Sequence, residues 1–104
     1  MIRAHGPHYR LVRLRELVRA GCWYMTDAAG RGMLDVGLRS EDVYSCVLAL
    51  TVADFKKSMV ADRRPGFFQD VYNTTYRAKR LYVKLQIEGV DRDELTVVIS
   101  FKAL

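Results

Sequence analysis

The chain has 104 residues, half of them hydrophobic, enough for a single domain over residues 1–104 that buries roughly two-thirds of the surface its unfolded chain exposes. Seventeen Lys and Arg against twelve Asp and Glu give a net charge of +5 and a pI near 9.5, which favours an anionic partner such as nucleic acid or an acidic protein. No apolar run approaches the ~20 residues of a membrane span, and the start lacks the apolar core of a signal peptide. A cytoplasmic protein without a membrane partner is expected, and Cys22 and Cys46, far apart and without zinc or redox spacing, are expected to be reduced packing thiols.

Leu11, Leu14, Leu17 and Val18 fall on one arc of a helical wheel with Arg13, Arg15, Glu16 and Arg19 outside it, which predicts a surface helix from Tyr9 to Ala20 stopped by Gly21. His8, between Pro7 and that helix, is expected to anchor its start. Cys22 to Met25 reads as a short strand. Thr26 or Asp27 caps a weak helix interrupted by Gly30 and Gly32 and ended near Gly37, and Ser40 opens a further helix through Leu50. Thr51 and Asp54 form a capping box that predicts a short helix carrying Phe55, Lys56, Lys57, Ser58 and Met59. An Arg-rich loop from Val60 to Gly66, with Arg63 and Arg64, is expected to be exposed and mobile. Phe67 to Tyr72 reads as a strand and Asn73 to Ala78 as a connection.

Two strands close the chain, Leu81 to Glu88 and Leu95 to Lys102. Their alternation predicts one polar face of Tyr82, Lys84, Gln86, Thr96, Ser100 and Lys102, and an apolar core face of Leu81, Val83, Leu85, Ile87, Leu95, Val97, Ile99 and Phe101. A hairpin through Gly89 to Glu94 sets Tyr82 opposite Lys102 and Lys84 opposite Ser100, a phenol beside an ammonium. Helices first and strands last is an α+β pattern, a mostly antiparallel sheet packed by N-terminal helices.

Much chemistry is pruned by composition. The two histidines, His5 and His8, lie at the start, and no His, Cys or carboxylate cluster has metal-ligand spacing; no metal and no cofactor is expected. Neither a phosphate-binding glycine loop nor a nucleophile elbow is present. What remains is basic and phenolic, Lys56, Lys57, Tyr82, Lys84 and Lys102, with the amides of Gln69 and Gln86. Such a set can cleave RNA, because the 2′-hydroxyl is a built-in nucleophile and the protein need only align it and stabilise charge on the phosphorane. A lysine or a tyrosine serves as proton carrier only if its pKa is lowered toward neutrality.

The stretches Pro7-His8-Tyr9-Arg10-Leu11, Leu17-Val18-Arg19-Ala20-Gly21, Asp54-Phe55-Lys56-Lys57-Ser58-Met59, Gln69-Asp70-Val71-Tyr72, Leu81-Tyr82-Val83-Lys84 and Ser100-Phe101-Lys102 resemble, in order and spacing, the MqsR toxin family of type II toxin-antitoxin mRNA interferases. The resemblance implies a fold akin to the RelE and YoeB ribonucleases. It also implies metal-independent cleavage of single-stranded mRNA at GCU-type triplets, arrest of translation and growth, and neutralisation by a cognate antitoxin with zinc-binding and helix-turn-helix DNA-binding parts. Residue by residue it assigns the site to Lys57, Gln69, Tyr82 and Lys102. Within it Lys57 and Lys102 are expected to stabilise charge, Gln69 to bond the scissile phosphate or a base edge, and Tyr82 to orient or deprotonate the 2′-hydroxyl. Lys56, Lys84, Arg63 and Arg64 are expected to contact phosphates and Phe68 to stack on a base, although the resemblance leads one to expect tryptophan at 68 and a shorter turn than Gly89 to Glu94. The rival expectations are an RNA-binding or regulatory module that uses the same basic face without cleaving, and a basic surface for an acidic protein.

Overall fold

The computed structural model describes residues 6–61 and 66–104; Arg63, Arg64 and most of the predicted Arg-rich loop lie outside them. Three helices, α1 (Leu11–Arg19), α2 (Asp27–Asp35) and α3 (Ser40–Ala49), cover one face of a five-stranded sheet built from β1 (Trp23–Met25), β2 (Phe55–Val60), β3 (Phe68–Tyr76), β4 (Lys79–Glu88) and β5 (Leu95–Ala103). The strand order is β1-β5-β4-β3-β2. Only β1 runs parallel to its neighbour, so the expected α+β class with a mostly antiparallel sheet holds.

The apolar arc of α1 is buried as its spacing requires. The helix starts two residues later than expected, after an extended Arg10, and the backbone N–H groups of His8 and Tyr9 donate to the carboxylate of Asp70, at 3.0 and 2.8 Å. Asp70 is fully buried on β3 and ties the segment before α1 to the sheet. Thr26 caps α2, accepting from Ala29 N–H at 3.1 Å while its hydroxyl donates to the Ile99 carbonyl at 2.7 Å. The glycines that weaken α2 as a helix have a tertiary reason at one position: a Cβ on Gly32 would lie 2.0 Å from the Phe101 carbonyl oxygen. The helix backbone rests directly on β5 there, and only glycine fits. The core between helices and sheet gathers Leu14, Val18, Met33, Val43, Val47, Leu50, Tyr72, Leu81, Val83, Leu85, Val98 and Phe101.

Three expectations are corrected. Thr51 N–H does donate to the Asp54 carboxylate at 2.9 Å, but this closes a single 3-10 turn, Val52–Asp54. The following Phe55–Val60 is a strand paired antiparallel with β3, not a helix. The cap signal is local, whereas the ladder that decides these residues comes from a segment further along the chain (Lys57 against Val71 and Met59 against Gln69, for instance). The predicted connection from Asn73 to Ala78 is also strand as far as Tyr76, and the chain reverses at Arg77 and Ala78 alone, both with positive φ (50° and 65°). A two-residue hairpin turn of that shape favours Asn and Gly, so Arg-Ala gives no turn signal. Outside bonds hold it, Tyr76 Oη donating to Asp42 at 2.9 Å and Arg77 lying 3.5 Å from the same carboxylate.

The third correction concerns the final hairpin. Tyr82 opposes Lys102 and Lys84 opposes Ser100 as expected, but Leu85 opposes Val98, so Ile99 is an extra residue. Such a bulge exchanges the faces of everything on its far side. Thr96, expected on the polar face, turns to the helices and donates to the Leu14 carbonyl at 3.0 Å. Leu95 and Val97, expected in the core, pair with Glu88 and Gln86 on the other face, and Val98 takes their place beneath the helices.

Candidate active face

The sheet face away from the helices is assembled by register. Cross-strand partners share a face, and Lys57 pairs with Val71, Val71 with Lys84, and Lys84 with Ser100. This row crosses four strands. On one side of it Asn73, Tyr82 and Lys102 form a second row; on the other Met59 pairs with Gln69, and the Gln69 amide donates to Gln86 Oε1 at 3.0 Å. Lys57, Gln69, Tyr82 and Lys102 therefore stand on one surface. With strands about 4.8 Å apart and a two-residue repeat of about 6.8 Å, the Lys57 and Lys102 backbones are about 16 Å apart and Lys84 lies between them. That span suits a strand of nucleotides laid across the sheet rather than a small ligand. Val71 and Val97, both fully buried, make an apolar floor beneath the polar side chains.

The face is cationic. Lys57, Lys84, Lys102 and Arg80 project from it against the single carboxylate of Glu88 among the described residues. Lys102 Nζ lies 5.0 Å from the centroid of the Tyr82 ring, within the range of a cation–π contact, so the pairing read from the sequence is a physical contact. Partial burial raises the Tyr82 pKa above the ordinary phenol value, because desolvation disfavours the phenolate. At neutral pH the phenol keeps its proton. The raised pKa favours a phenol that donates a hydrogen bond over the deprotonating role expected from the sequence.

Two further candidates change place. Lys56 is the extra residue of a bulge between Phe55, opposite Tyr72, and Lys57, opposite Val71; it is exposed beside Lys57 on the edge strand, not on the helix expected to carry both lysines. Phe68 alternates with Gln69 and so points to the helix side, where its ring stacks on His8 with centroids 4.1 Å apart and its carbonyl accepts from Tyr9 Oη at 2.8 Å. The sheet does not bring it to the candidate site. Phe67 instead has the parity of Gln69. Ala61 N–H donates to the Phe67 carbonyl at 2.9 Å, which continues the β2–β3 ladder by one pair, and Phe67 is 38% exposed. Sequence reasoning missed it, although period-two alternation from Gln69 was enough to find it. His8 holds its segment through its backbone and its stacked ring, as an anchor does.

Among the described residues no three His, Cys, Asp or Glu side chains cluster as metal ligands. Both cysteines are free thiols, and burial pushes Cys46 up to about 12, which makes it an inert packing group. No described helix is long and apolar enough to cross a membrane. A shallow groove of about 390 Å³, lined by Pro7, Tyr9, Arg10, Val12, Arg15 and Val52 among others, contains none of the candidate residues.

An open sheet face with fixed lysines, a protonated phenol and carboxamides over an apolar floor, backed by helices on the other side, defines a RelE-like α+β architecture with a basic, nucleic-acid-compatible surface. The family model described as "Motility quorum-sensing regulator, toxin of MqsA" matches residues 6–103. The chain is also similar to the mRNA interferase toxin MqsR of Escherichia coli (strain K12), with 31% identity over 96 residues that cover 92% of this chain and 93% of that relative. The chain belongs to the MqsR toxin family.

Proposed function

We propose that this protein is a toxin endoribonuclease that cleaves single-stranded mRNA through the 2′-hydroxyl, and that Lys57, Gln69, Tyr82 and Lys102 form its site. The observation that carries this is the common face of these four side chains, with the Lys102 ammonium held over the Tyr82 ring. In the proposed reaction the 2′-oxygen attacks the adjacent phosphorus, the 2′-proton leaves to a base, and the 5′-oxygen of the next nucleotide departs with a proton. The products carry 2′,3′-cyclic phosphate and 5′-hydroxyl ends. Negative charge grows on the non-bridging oxygens, and lysines fixed on a sheet need little reorganisation to meet it. Lys84, central in the row, and Lys56 supply phosphate contacts along the strand. The Tyr82 phenol, kept protonated by burial, suits donation to a phosphate oxygen or to the leaving group.

The family and the name of the relative support this reading, and by the same resemblance the partner is a cognate antitoxin, of zinc-binding and helix-turn-helix type, in the cytoplasm, with GCU-type triplets as targets. Incubation of the purified protein with single-stranded RNA in EDTA tests the mechanism: cleavage that persists in chelator and leaves cyclic phosphate ends is expected. Cleavage abolished by EDTA, or 5′-phosphate products, would refute it, and a gel shift with intact RNA would favour the non-catalytic module. Growth arrest on expression, relieved by co-expression of an adjacent gene that encodes the zinc and helix-turn-helix parts, tests the partner.

A further inference from the structure

Among the described residues one carboxylate, Glu88, stands on the basic face, and it terminates a chain of hydrogen bonds that ends at Gln69. Tyr24 Oη, from β1, donates to Glu88 Oε1 at 3.0 Å. Gln86 Nε2 donates to Glu88 Oε2 at 2.8 Å, and Gln69 Nε2 donates to Gln86 Oε1 at 3.0 Å. The direction of this chain is dictated by chemistry. A carboxylate accepts hydrogen bonds and does not donate them, so a carboxamide facing it must present its nitrogen. Gln86 then has its oxygen left for its other neighbour, and Gln69 must in turn present nitrogen to that oxygen. Gln86 is 1% exposed, so a reversed amide would bury two acceptors against each other at one end and two donors at the other, a costly arrangement for a side chain shut off from water. Gln69 Oε1 is left with no donor among the described residues, on the strand beside Lys57 and two pairs along the ladder, hence on the same face.

We infer that Glu88 and Gln86 are positioning residues that lock the Gln69 carboxamide with its oxygen available to the RNA, so that this corner of the site selects a group that donates a hydrogen bond. This rests on the ribonuclease reading and deepens it. Two sources in RNA carry that chemistry near a strand laid across the sheet: an exocyclic base amine, as on cytosine, adenine or guanine, and the ribose 2′-hydroxyl. A phosphate oxygen, which only accepts, is not what Gln69 Oε1 takes. The same chain explains a carboxylate on a surface that otherwise attracts phosphates, since its charge is turned toward protein donors, Tyr24 and Gln86 among them.

The test uses single-stranded RNAs altered by one atom group at one position at a time: cytosine against pyrimidin-2-one, adenine against purine, guanine against hypoxanthine. The ratio of kcat/KM with and without the amine is read for the wild-type protein and for Glu88→Gln, whose amide can donate toward Gln86 and lets the chain run backwards. A ratio of at least about fivefold is expected at one position in the wild type, falling to about twofold or less in Glu88→Gln, since a well-made base contact discriminates by about 1–3 kcal/mol. Gln86→Leu, which cuts the relay without adding a donor, should collapse the ratio in the same way if the first variant folds poorly. Single 2′-deoxy substitutions, read by Kd, identify the sugar as the donor if the dependence on Glu88 follows them instead. Equal donor dependence in wild type and both variants, in bases and in sugars, overturns the inference while leaving the ribonuclease intact. If the wild type cleaves no RNA, it is the ribonuclease reading that fails, and the same ratios taken from Kd values still decide the orientation of Gln69.

Discussion

Gly32→Ala is a single methyl group whose effect can be worked out from the packing of α2 on β5. The added Cβ would meet the Phe101 carbonyl oxygen at 2.0 Å, its carbon at 3.0 Å and Lys102 Cβ at 3.2 Å. The first two are backbone atoms that cannot swing aside, so α2 must lift from the strand, by about 1.4 Å if the oxygen contact is to reach ordinary van der Waals separation. Overpacking of this kind costs about 1–3 kcal/mol, and a rigid backbone neighbour argues for the upper end. The gain from replacing glycine within a helix is about 0.5–1 kcal/mol, so the clash wins by about 1–2 kcal/mol. For a chain of this size that is a fall in Tm of roughly 4–16 °C. Gly30→Ala is the control on the same helix: nothing lies within 4 Å of its Cβ, and the same helical gain should raise Tm. Thermal melts of the three proteins by circular dichroism decide the matter. Because the lifted helix presses on Phe101 and Lys102, Gly32→Ala should also lower RNA cleavage at temperatures where it is fully folded. A Tm at or above wild type for Gly32→Ala would refute the reading of this contact.

Lys57→Ala and Tyr82→Phe should each lower the single-turnover cleavage rate by more than about tenfold, less than the 10²–10³ of an enclosed oxyanion site because water reaches this face; unchanged far-UV spectra with wild-type rates in both would remove them from the site. Phe67→Ala should weaken binding of single-stranded RNA by about fivefold or more, the loss of one stacked base, whereas Phe68→Ala should chiefly lower Tm through its His8 contact; the reverse outcome, by titration and melt, would contradict the strand parity. Tyr72, fully exposed nowhere and with its hydroxyl unpaired in the core, has its pKa pushed up to about 12 by burial. The unfolded chain loses that proton near pH 10 while the folded one holds it, so stability is complete below pH 10 and declines by up to about 1.4 kcal/mol per pH unit between 10 and 12. Tyr72→Phe should lessen that alkaline slope in urea titrations and leave neutral-pH stability equal or better.

Much of this was legible in the residues. The apolar arc of α1, the Thr26 cap and the Tyr82–Lys102 pairing are local or near-local patterns, and their periodicity survives folding. The errors have physical causes of three kinds. A satisfied capping box at Thr51 and Asp54 says that a turn begins, not that it continues, and Lys57 ended on a strand because β3 offered its edge. Arg77 and Ala78 turn the chain without turn residues because Asp42, from a distant helix, holds the hairpin. Ile99 is an inserted residue in an otherwise regular alternation, and nothing in the order of its neighbours marks it.

The alternating and helical periods of this sequence determined an amphipathic sheet with helices on one side, since burying apolar surface leaves a chain with those periods few other arrangements. They also determined a basic, polar side chain set without metal ligands in suitable spacing. Which further side chains join Tyr82, Lys84 and Lys102 on the open face was decided by tertiary structure. One extra residue in a strand reverses every side chain beyond it, so the bulges at Lys56 and Ile99, set by pairing with distant strands, put Lys57 on the face of Tyr82 and sent Thr96 to the helices, while the unbroken pairing of β3 with β4 set Gln69 beside Gln86 and Glu88.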